Sequence, residues 1–404
     1  MKSKTLVLLL LLLLKTPCLT LAQKTKENTI RQDLSQARTY IKSGKNVEQA
    51  EKLMTDRLKR DSASRTDKRV FLTWYQAVQK QFDAANERLY LKQRQDTAAF
   101  FSLVRRMFII LEALDSLDML PDKKGRVAPE YRSSHAKLLD GYRPNLFNGG
   151  VYHVRHDDYR QAYDYFEQYI DCCRQPLFTG YGYDSTDVRM KDAAYWATYC
   201  GSKMGDPVLT LRYRHRALAD TARMPFTLRY MADARRQLKD DSLYVATLRE
   251  GFQRFPEDTY FFPHLVDYYT SHQQYALADE AATRALEVND SNALFLLAKS
   301  SVLLLQGRHR ESISYSERLM AQNDSLPEPY FNMATAWLNI ALKMDSRKER
   351  RQQRAAYQQA RPYMERYRQI VPDGVDKWGP ALYRIYLNLN LGKQFDEIDR
   401  LLKK

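Results

Sequence analysis

Successive helical patterns along this chain end at points that are 34 residues apart. One pattern stops at Pro256, and steps of 34 residues lead from there to Asp290 and Asp324, which end two more. The same step backwards reaches Ala222, just before Pro225. A fixed period of this length is typical of repeated helix pairs. It predicts an all-α solenoid in which each pair buries its apolar stripe against the next.

The composition supports helices rather than strands. The chain has only 14 Gly and 14 Pro among 404 residues, too few turn-forming residues for a β protein of many short strands. Hydrophobic residues make up 44% of it, which excludes disorder throughout. Small side chains such as Ala232 and Ala278 would let neighbouring helices approach closely. We therefore expect a packed helical protein.

The unit that follows Pro256 carries a recognisable pattern. Phe262, Leu265 and Tyr269 are spaced along its first helix, and Ala278 occupies a small position in the second. These residues resemble the tetratricopeptide repeat (TPR), whose pattern is Trp-x2-Leu-Gly-x2-Tyr, then Ala-x3-Phe, then Pro. The resemblance implies a right-handed superhelix of antiparallel helix pairs. It also implies a non-enzymatic scaffold that binds an unidentified protein or peptide.

The clear resemblance covers about residues 143–404, and the region before it resembles the repeat weakly. Within the repeats, helices are expected to extend beyond the solenoid near 343–354, and a capping unit to close the chain after Trp378. The expected regions are a signal peptide (1–22), divergent N-terminal repeats (23–142), one TPR-like unit (143–174), a linker loop (175–190) and the solenoid (191–404).

The N-terminus has the features of a secretory signal peptide. A short basic start precedes a leucine run well below the roughly 20 residues needed to span a bilayer. Cleavage is expected after Ala22, and the Lys15–Pro17 tripeptide before Cys18 does not fit a lipoprotein signal. We expect an exported, periplasmic protein of a Gram-negative bacterium with no integral membrane segment after cleavage. Export disfavours nucleic acid as a partner.

The charge balance is compatible with an acidic partner. Lys and Arg number 64 against 49 Asp and Glu. Such an excess favours acidic proteins, anionic polymers or membrane surfaces. Because the two signs are interspersed along the chain, an ordinary solvated helical surface explains the same balance.

Residue patterns for catalysis are missing from the sequence. It contains no nucleophile elbow, phosphate loop, dinucleotide fingerprint or zincin helix. His153 and His156 could share a helix face, but no third metal ligand can be named. We predict no catalytic residue, no metal and no cofactor. Cys172, Cys173 and Cys200 remain after signal cleavage, as three thiols or as one Cys173–Cys200 bridge and a thiol.

The resemblance also implies where a partner would bind. In TPR proteins the ligand usually lies in a concave groove lined by the first helix of each pair. The corresponding residues here are Tyr195, Tyr199, Lys203, Phe226, Arg229, Arg236, Tyr260 and Asp267. Aromatic and cationic groups suit an acidic peptide or its terminal carboxylate, although the aromatic members fit inter-repeat packing equally well. A second interpretation is a glycan-binding envelope protein that uses the Tyr/Trp-rich stretch from Tyr152 to Trp196.

A short motif recurs independently of the repeats: Asp, then Ser or Thr, then an apolar residue or Thr. It is similar to the acceptor pattern of a general O-glycosylation system on exported proteins of some Gram-negative gut bacteria. Helix N-caps, which favour Asp and Ser, explain the same motif. The acceptor residues would be Ser62, Thr97, Ser116, Ser185, Thr221, Ser242 and Ser325.

We expect at least one of these residues to carry a glycan in the native host. Intact-mass measurement would then give a mass above that of the polypeptide. The same protein made in a host without the glycosylation system should show the polypeptide mass alone. Unmodified Ser62, Ser116 and Ser242 in native protein would count heavily against the motif.

Overall fold

The computed structural model describes residues 27–121 and 124–403 of the chain. The expected signal peptide and its cleavage site after Ala22 lie outside the described residues. Within those two ranges the secondary structure is helical, without a β-strand. Helices that follow each other in the chain pack side by side, and short turns make them antiparallel. The prediction of an all-α fold built from helix pairs is confirmed.

The described helices fall into two units. The first unit contains α1 (27–43), α2 (Val47–Arg60), α3 (Lys68–Tyr90), α4 (Thr97–Asp118), α5 (Arg132–Val154), α6 (Tyr159–Asp171), α7 (Tyr183–Thr186), α8 (Met190–Lys203), α9 (Pro207–Arg212) and α10 (Arg214–Ala217). The second contains α12 (Asp241–Arg254), α13 (Phe261–Ser271), α14 (Tyr275–Val288), α15 (Ala293–Leu305), α16 (His309–Gln322), α17 (Pro327–Lys343), α18 (Arg350–Ile370), α19 (Val375–Leu389) and α20 (Gly392–Leu402). The boundary, after Tyr230, falls within α11 (Met224–Gln237).

Tight turns explain the 34-residue period. Gly205, Lys239, Gln273 and Gly307 follow each other at this interval, and each has a left-handed backbone with φ between 57° and 76°. Each residue lies in the turn between the two helices of a pair. A left-handed residue at the end of a helix reverses the chain, and glycine adopts this conformation most easily. The sequence period is therefore the period of these reversals.

The interval changes on both sides of these four turns. Upstream, Asp157 takes the left-handed conformation between α5 and α6, which is 48 residues before Gly205. Downstream, α17 and α18 are 17 and 21 residues long, and residues 344–349 connect them. This long hairpin covers the region around 343–354, where the extension is expected.

The segment that connects α6 to α8 is packed against the first unit. It contains the expected linker at 175–190 and forms the 3-10 turns Cys172–Arg174 and Pro176–Phe178 and the short helix α7. Leu177 and Phe178 are buried in the core of the first unit. The residues that lengthen the interval between Asp157 and Gly205 therefore form a compact segment that packs against the first unit.

Arg143 of α5 fixes this segment through a buried charge. Its guanidinium carbon lies 3.8 Å from the centre of the Tyr169 ring and 3.9 Å from that of Tyr183. Its Nη1 lies 2.6 Å from Oδ2 of Asp187, to which the Tyr169 hydroxyl also donates. Burial alone would raise the pKa of Asp187, but its hydrogen bonds with Tyr169, the Arg189 backbone and Arg143 lower it. The charge of Arg143 is therefore compensated inside the fold.

A side chain at Gly201 would disrupt the close approach of α8 and α9. An alanine Cβ there would lie 2.5 Å from the backbone nitrogen of Thr210. We expect Gly201→Ala to lower the free energy of unfolding by roughly 1–3 kcal/mol, the usual cost of overpacking, in urea titrations. Gly141→Ala is the matched control, because nothing lies within 4 Å of its Cβ on α5. Equal effects of the two substitutions would contradict this packing.

A buried carboxyl group makes the stability of the first unit sensitive to pH. Glu112 of α4 accepts a hydrogen bond from Nε2 of Gln168 at 2.7 Å. Burial, with a smaller contribution from the Asp171 charge, raises the pKa of Glu112 to about 7. The folded chain therefore retains a proton that the unfolded chain releases near its ordinary value of 4.5. Stability from this group is present below that value and is lost as pH rises through about 7.

Glu112→Gln should remove this pH dependence while it keeps an acceptor for Gln168. We expect the melting temperature of the variant to exceed that of the wild type at pH 8 by more than at pH 5. Thermal denaturation followed by far-UV circular dichroism at both pH values measures the difference. If the melting temperatures of the variant and the wild type differ by the same amount at pH 5 and pH 8, burial does not shift the titration of Glu112.

Candidate functional site

Helix α8 presents predicted site residues along one side. Tyr195, Tyr199 and Lys203 are spaced four residues apart, which places them on one helix face. Tyr195 is only 8% exposed and packs beneath its neighbours, whereas Tyr199 is half-buried and Lys203 is exposed. The Lys203 Nζ lies 5.5 Å from the centre of the Tyr199 ring. The accessible part of this face is therefore Tyr199 with a cation above it.

Helix α11 adds the next predicted residues beside α8. Phe226 is 44% exposed, and the Arg229 guanidinium carbon lies 5.4 Å from the centre of its ring. Tyr230, one helical turn after Phe226, has its ring centre 5.9 Å from that of Tyr199 and 6.4 Å from that of Tyr195. The structure thus brings together the five predicted residues that precede the unit boundary.

Two further rings extend this surface. Trp196 lies 5.6 Å from Tyr199 between ring centres, and Tyr159 at the start of α6 lies 5.9 Å from it. Both side chains are half-buried. We use the name aromatic face for the rings of Tyr159, Trp196, Tyr199, Phe226 and Tyr230.

The cations around the aromatic face differ in their pairing. The Arg223 guanidinium carbon lies 5.0 Å from the Tyr195 ring centre and 5.9 Å from that of Trp196. Its Nη1 is also 3.1 Å from carboxylate oxygens of both Asp192 and Asp220. Lys203, by contrast, forms no ion pair with any described residue. The charge of Arg223 is used inside the fold, while that of Lys203 is available to a ligand.

Two tyrosine hydroxyls of the aromatic face, those of Tyr159 and Tyr230, have a raised pKa. Burial, and hydrogen bonding with Tyr195, raise the pKa of Tyr230. The Tyr159 hydroxyl donates to Oδ1 of Asp157 at 2.6 Å, and this bond raises the pKa of Tyr159. Neutral phenols offer flat apolar rings with a polar edge, which suits stacking and hydrogen bonding more than acid–base chemistry.

The remaining predicted residues lie in the second unit and form a separate polar group. The Tyr260 hydroxyl donates to Oδ1 of Asp233 at 2.7 Å, and Arg236 Nη2 lies 3.0 Å from the same oxygen. The Tyr260 ring stacks on His264, with centres 4.2 Å apart. Asp267 is exposed. Because Asp233 already compensates Arg236, this group is less basic than the sequence suggests.

Arg223 and Tyr230 were not predicted, and Trp196 was named only within the Tyr152–Trp196 stretch. Trp196 lies three positions before Tyr199 and Tyr230 four after Phe226, so a search for helix neighbours identifies both. Arg223 lies before α11 begins, outside the helical spacing that was used. Its contact with α8 depends on tertiary packing, which no local pattern indicates.

The Ser and Thr acceptor residues of the O-glycosylation motif are all on the surface. In several motifs the Asp also caps a helix: Asp61 accepts from the Ala63 backbone N–H and Asp96 from that of Ala99. Accessibility and capping are therefore compatible, and glycosylation stays a prediction. The exposed hydroxyl residues are Ser62, Thr97, Ser116, Ser185, Thr221, Ser242 and Ser325.

The part of the chain that the structure describes contains no group of three or more His, Cys, Asp or Glu side chains placed to hold a metal ion. Cys172 and Cys200 are buried thiols, and Cys173 is a half-buried one. None of the described helices combines the length and apolar character of a membrane span.

Comparisons with known proteins give similarity in structure only. No family model matches the chain, and no curated protein matches it. The C-terminal part of a TPR repeat-containing protein from Cytophaga hutchinsonii is 11% identical, with a TM-score of 0.44 over 62% of this chain and 92% of its own. PilF of Pseudomonas aeruginosa is 15% identical, with a TM-score of 0.34 over 58% and 93%. Tom70 of yeast is 12% identical, with a TM-score of 0.35 over 91% and 82%.

The TM-scores of these three structures are all below 0.5. The helix pairs and the 34-residue interval of left-handed turns in this chain carry the fold assignment themselves.

Proposed function

We propose that this chain is a non-enzymatic scaffold that binds another protein through the aromatic face. The observation that supports this is the continuity of the rings across α6, α8 and α11, with Lys203 exposed at their edge. Aromatic side chains are enriched at the energetic centres of protein interfaces because they bury much area with few rotatable bonds.

The mechanism is presentation of a surface that is already ordered before binding. Tyr195 is buried under the aromatic face and contacts Trp196 and Tyr230, so the accessible rings rest on a packed layer. Arg223 is held over Tyr195 by its two carboxylate partners. The side chains of the aromatic face therefore lose little conformational freedom when a ligand binds, which preserves affinity.

The partner is expected to be acidic or to carry a free carboxylate. Lys203 is unpaired among the described residues, and Arg229 lies over the exposed Phe226 ring. A carboxylate near Lys203 gains charge-assisted hydrogen bonds, while apolar side chains cover the rings. Export through the N-terminal signal would place this interaction in the periplasm, within an envelope assembly.

Site-specific photo-crosslinking in the native host tests the proposal. We expect a photoreactive residue at Phe226 or Lys203 to capture one discrete protein, which mass spectrometry identifies. Both positions are exposed, so the replacement should be tolerated. Val208 of α9, which is also exposed, is the matched control in the same unit and should capture nothing. Capture of the same protein from Val208, or of none from all three positions, would refute the aromatic face as the binding surface.

Glycan binding is the second candidate. The half-exposed rings of Trp196 and Tyr199 are the observation that favours it, because flat aromatic rings can cover the apolar faces of sugars. Titration calorimetry against host and dietary polysaccharides separates the two functions. Heat of binding that disappears in Trp196→Ala would assign the aromatic face to a glycan instead of a protein.

A further inference from the structure

The long hairpin of α17 and α18 carries a dense positive charge. Arg347, Lys348, Arg350 and Arg351 are all exposed. None of these four side chains forms an ion pair with a described residue. Since they lie within five consecutive positions, their charges repel each other and favour an anionic ligand.

The two acidic residues in the turn of this hairpin, Asp345 and Glu349, are engaged locally. Asp345 Oδ1 accepts hydrogen bonds from the backbone N–H groups of Arg347 and Lys348, at 2.8 and 3.4 Å. Glu349 Oε2 accepts from the backbone N–H of Asp345 at 2.9 Å. Both carboxylates thus order the turn between the helices. The arginine and lysine side chains remain available.

An apolar groove of about 530 Å³ lies at the same end of the second unit. Leu342 and Leu387 are 47% and 52% exposed, so both leucine side chains are accessible to a ligand in the groove. Arg384 is the one charged side chain in the lining, and it is exposed. The groove is lined by Leu342, Tyr357, Pro380, Tyr383, Arg384, Leu387, Asn388 and Leu402.

The groove and the charged turn are continuous. Leu342 lies one residue before the end of α17, where the turn begins. On the other side, Arg354 Nη2 donates to the carbonyl oxygen of Leu389 at 3.3 Å, close to the groove residue Leu387. A ligand several residues long can therefore contact the cations and the apolar groove together.

We propose that this end of the second unit is a docking surface for a partner protein, and that it binds a peptide segment in which acidic residues adjoin large apolar ones. The charge complementarity identifies the acidic part and the groove identifies the apolar part. The groove is an indentation, which side chains of a peptide fill and the plane of a lipid bilayer does not. The surface is distinct from the aromatic face and does not depend on it.

Fluorescence anisotropy with a synthetic peptide tests this surface in the mature full chain. The probe carries a run of glutamates followed by Leu-Phe-Leu. We expect Arg350→Glu combined with Arg351→Glu to weaken binding about tenfold, since this corresponds to the roughly 1.4 kcal/mol expected from reversed charges. Leu387→Ser should weaken it as well, because it removes an apolar wall. Added salt should weaken binding to the wild type more than to the double variant.

Matched controls separate this surface from general charge and from the aromatic face. Arg366→Glu changes an exposed arginine farther along α18 and should leave the affinity unchanged. Phe226→Ala should also leave it unchanged. A probe with glutamine in place of glutamate should bind weakly. Far-UV circular dichroism verifies that each variant is folded.

Several results would overturn the proposal. Absence of probe binding, or equal affinity of the wild type and the double variant for the probe, would refute the docking surface. Tighter binding to phosphatidylglycerol vesicles than to the probe, lost in the same double variant, would assign the surface to a membrane. A dimer in light scattering that Leu387→Ser dissociates would assign it to a second copy of this chain.

Discussion

The stacking of the helix pairs depends on tight turns. Each turn reverses the chain within a few residues, where the two helices of a pair lie very close to each other. Left-handed residues such as Gly205 and Gln273 make the reversals, and small residues permit the contact. At Gly201 the backbone of the neighbouring helix leaves no room for a methyl group. Each pair can then cover the apolar stripe of the next one, which no pair could do alone. Regular spacing of these reversals is what makes the protein modular.

The same constraint explains how far the sequence could be interpreted. The 34-residue period was visible because the turns between Gly205 and Gly307 recur in register. The sequence predicts an ordered, aromatic-rich loop at 175–190, because its Pro and Gly residues interrupt every helical period. Its packing depends on Arg143, which lies 44 positions from its partner Asp187. Contacts between a cation and distant rings leave no local signature, so the short helical turns of this loop and its burial against the first unit could not be predicted.

The candidate site was predictable to a similar degree. Helical spacing identified Tyr199, Lys203 and Phe226, which are accessible in the structure. Helical spacing could not distinguish these accessible residues from the buried Tyr195, because the burial of a side chain depends on the adjacent helix pair. The expectation of a basic groove also took each arginine at full charge. Arg236 pairs with Oδ1 of Asp233, which also accepts from the Tyr260 hydroxyl, so the charge of Arg236 is partly compensated within the fold.

The cation between Tyr169 and Tyr183 has a consequence for how recognition by this protein can evolve. Through Asp187 it fixes the residues that come just before α8, and α8 carries the rings at the centre of the aromatic face. The orientation of those rings therefore depends on a buried side chain that lies outside the aromatic face. In the proposed interaction, a substitution at this position would change specificity without changing any residue of the binding surface.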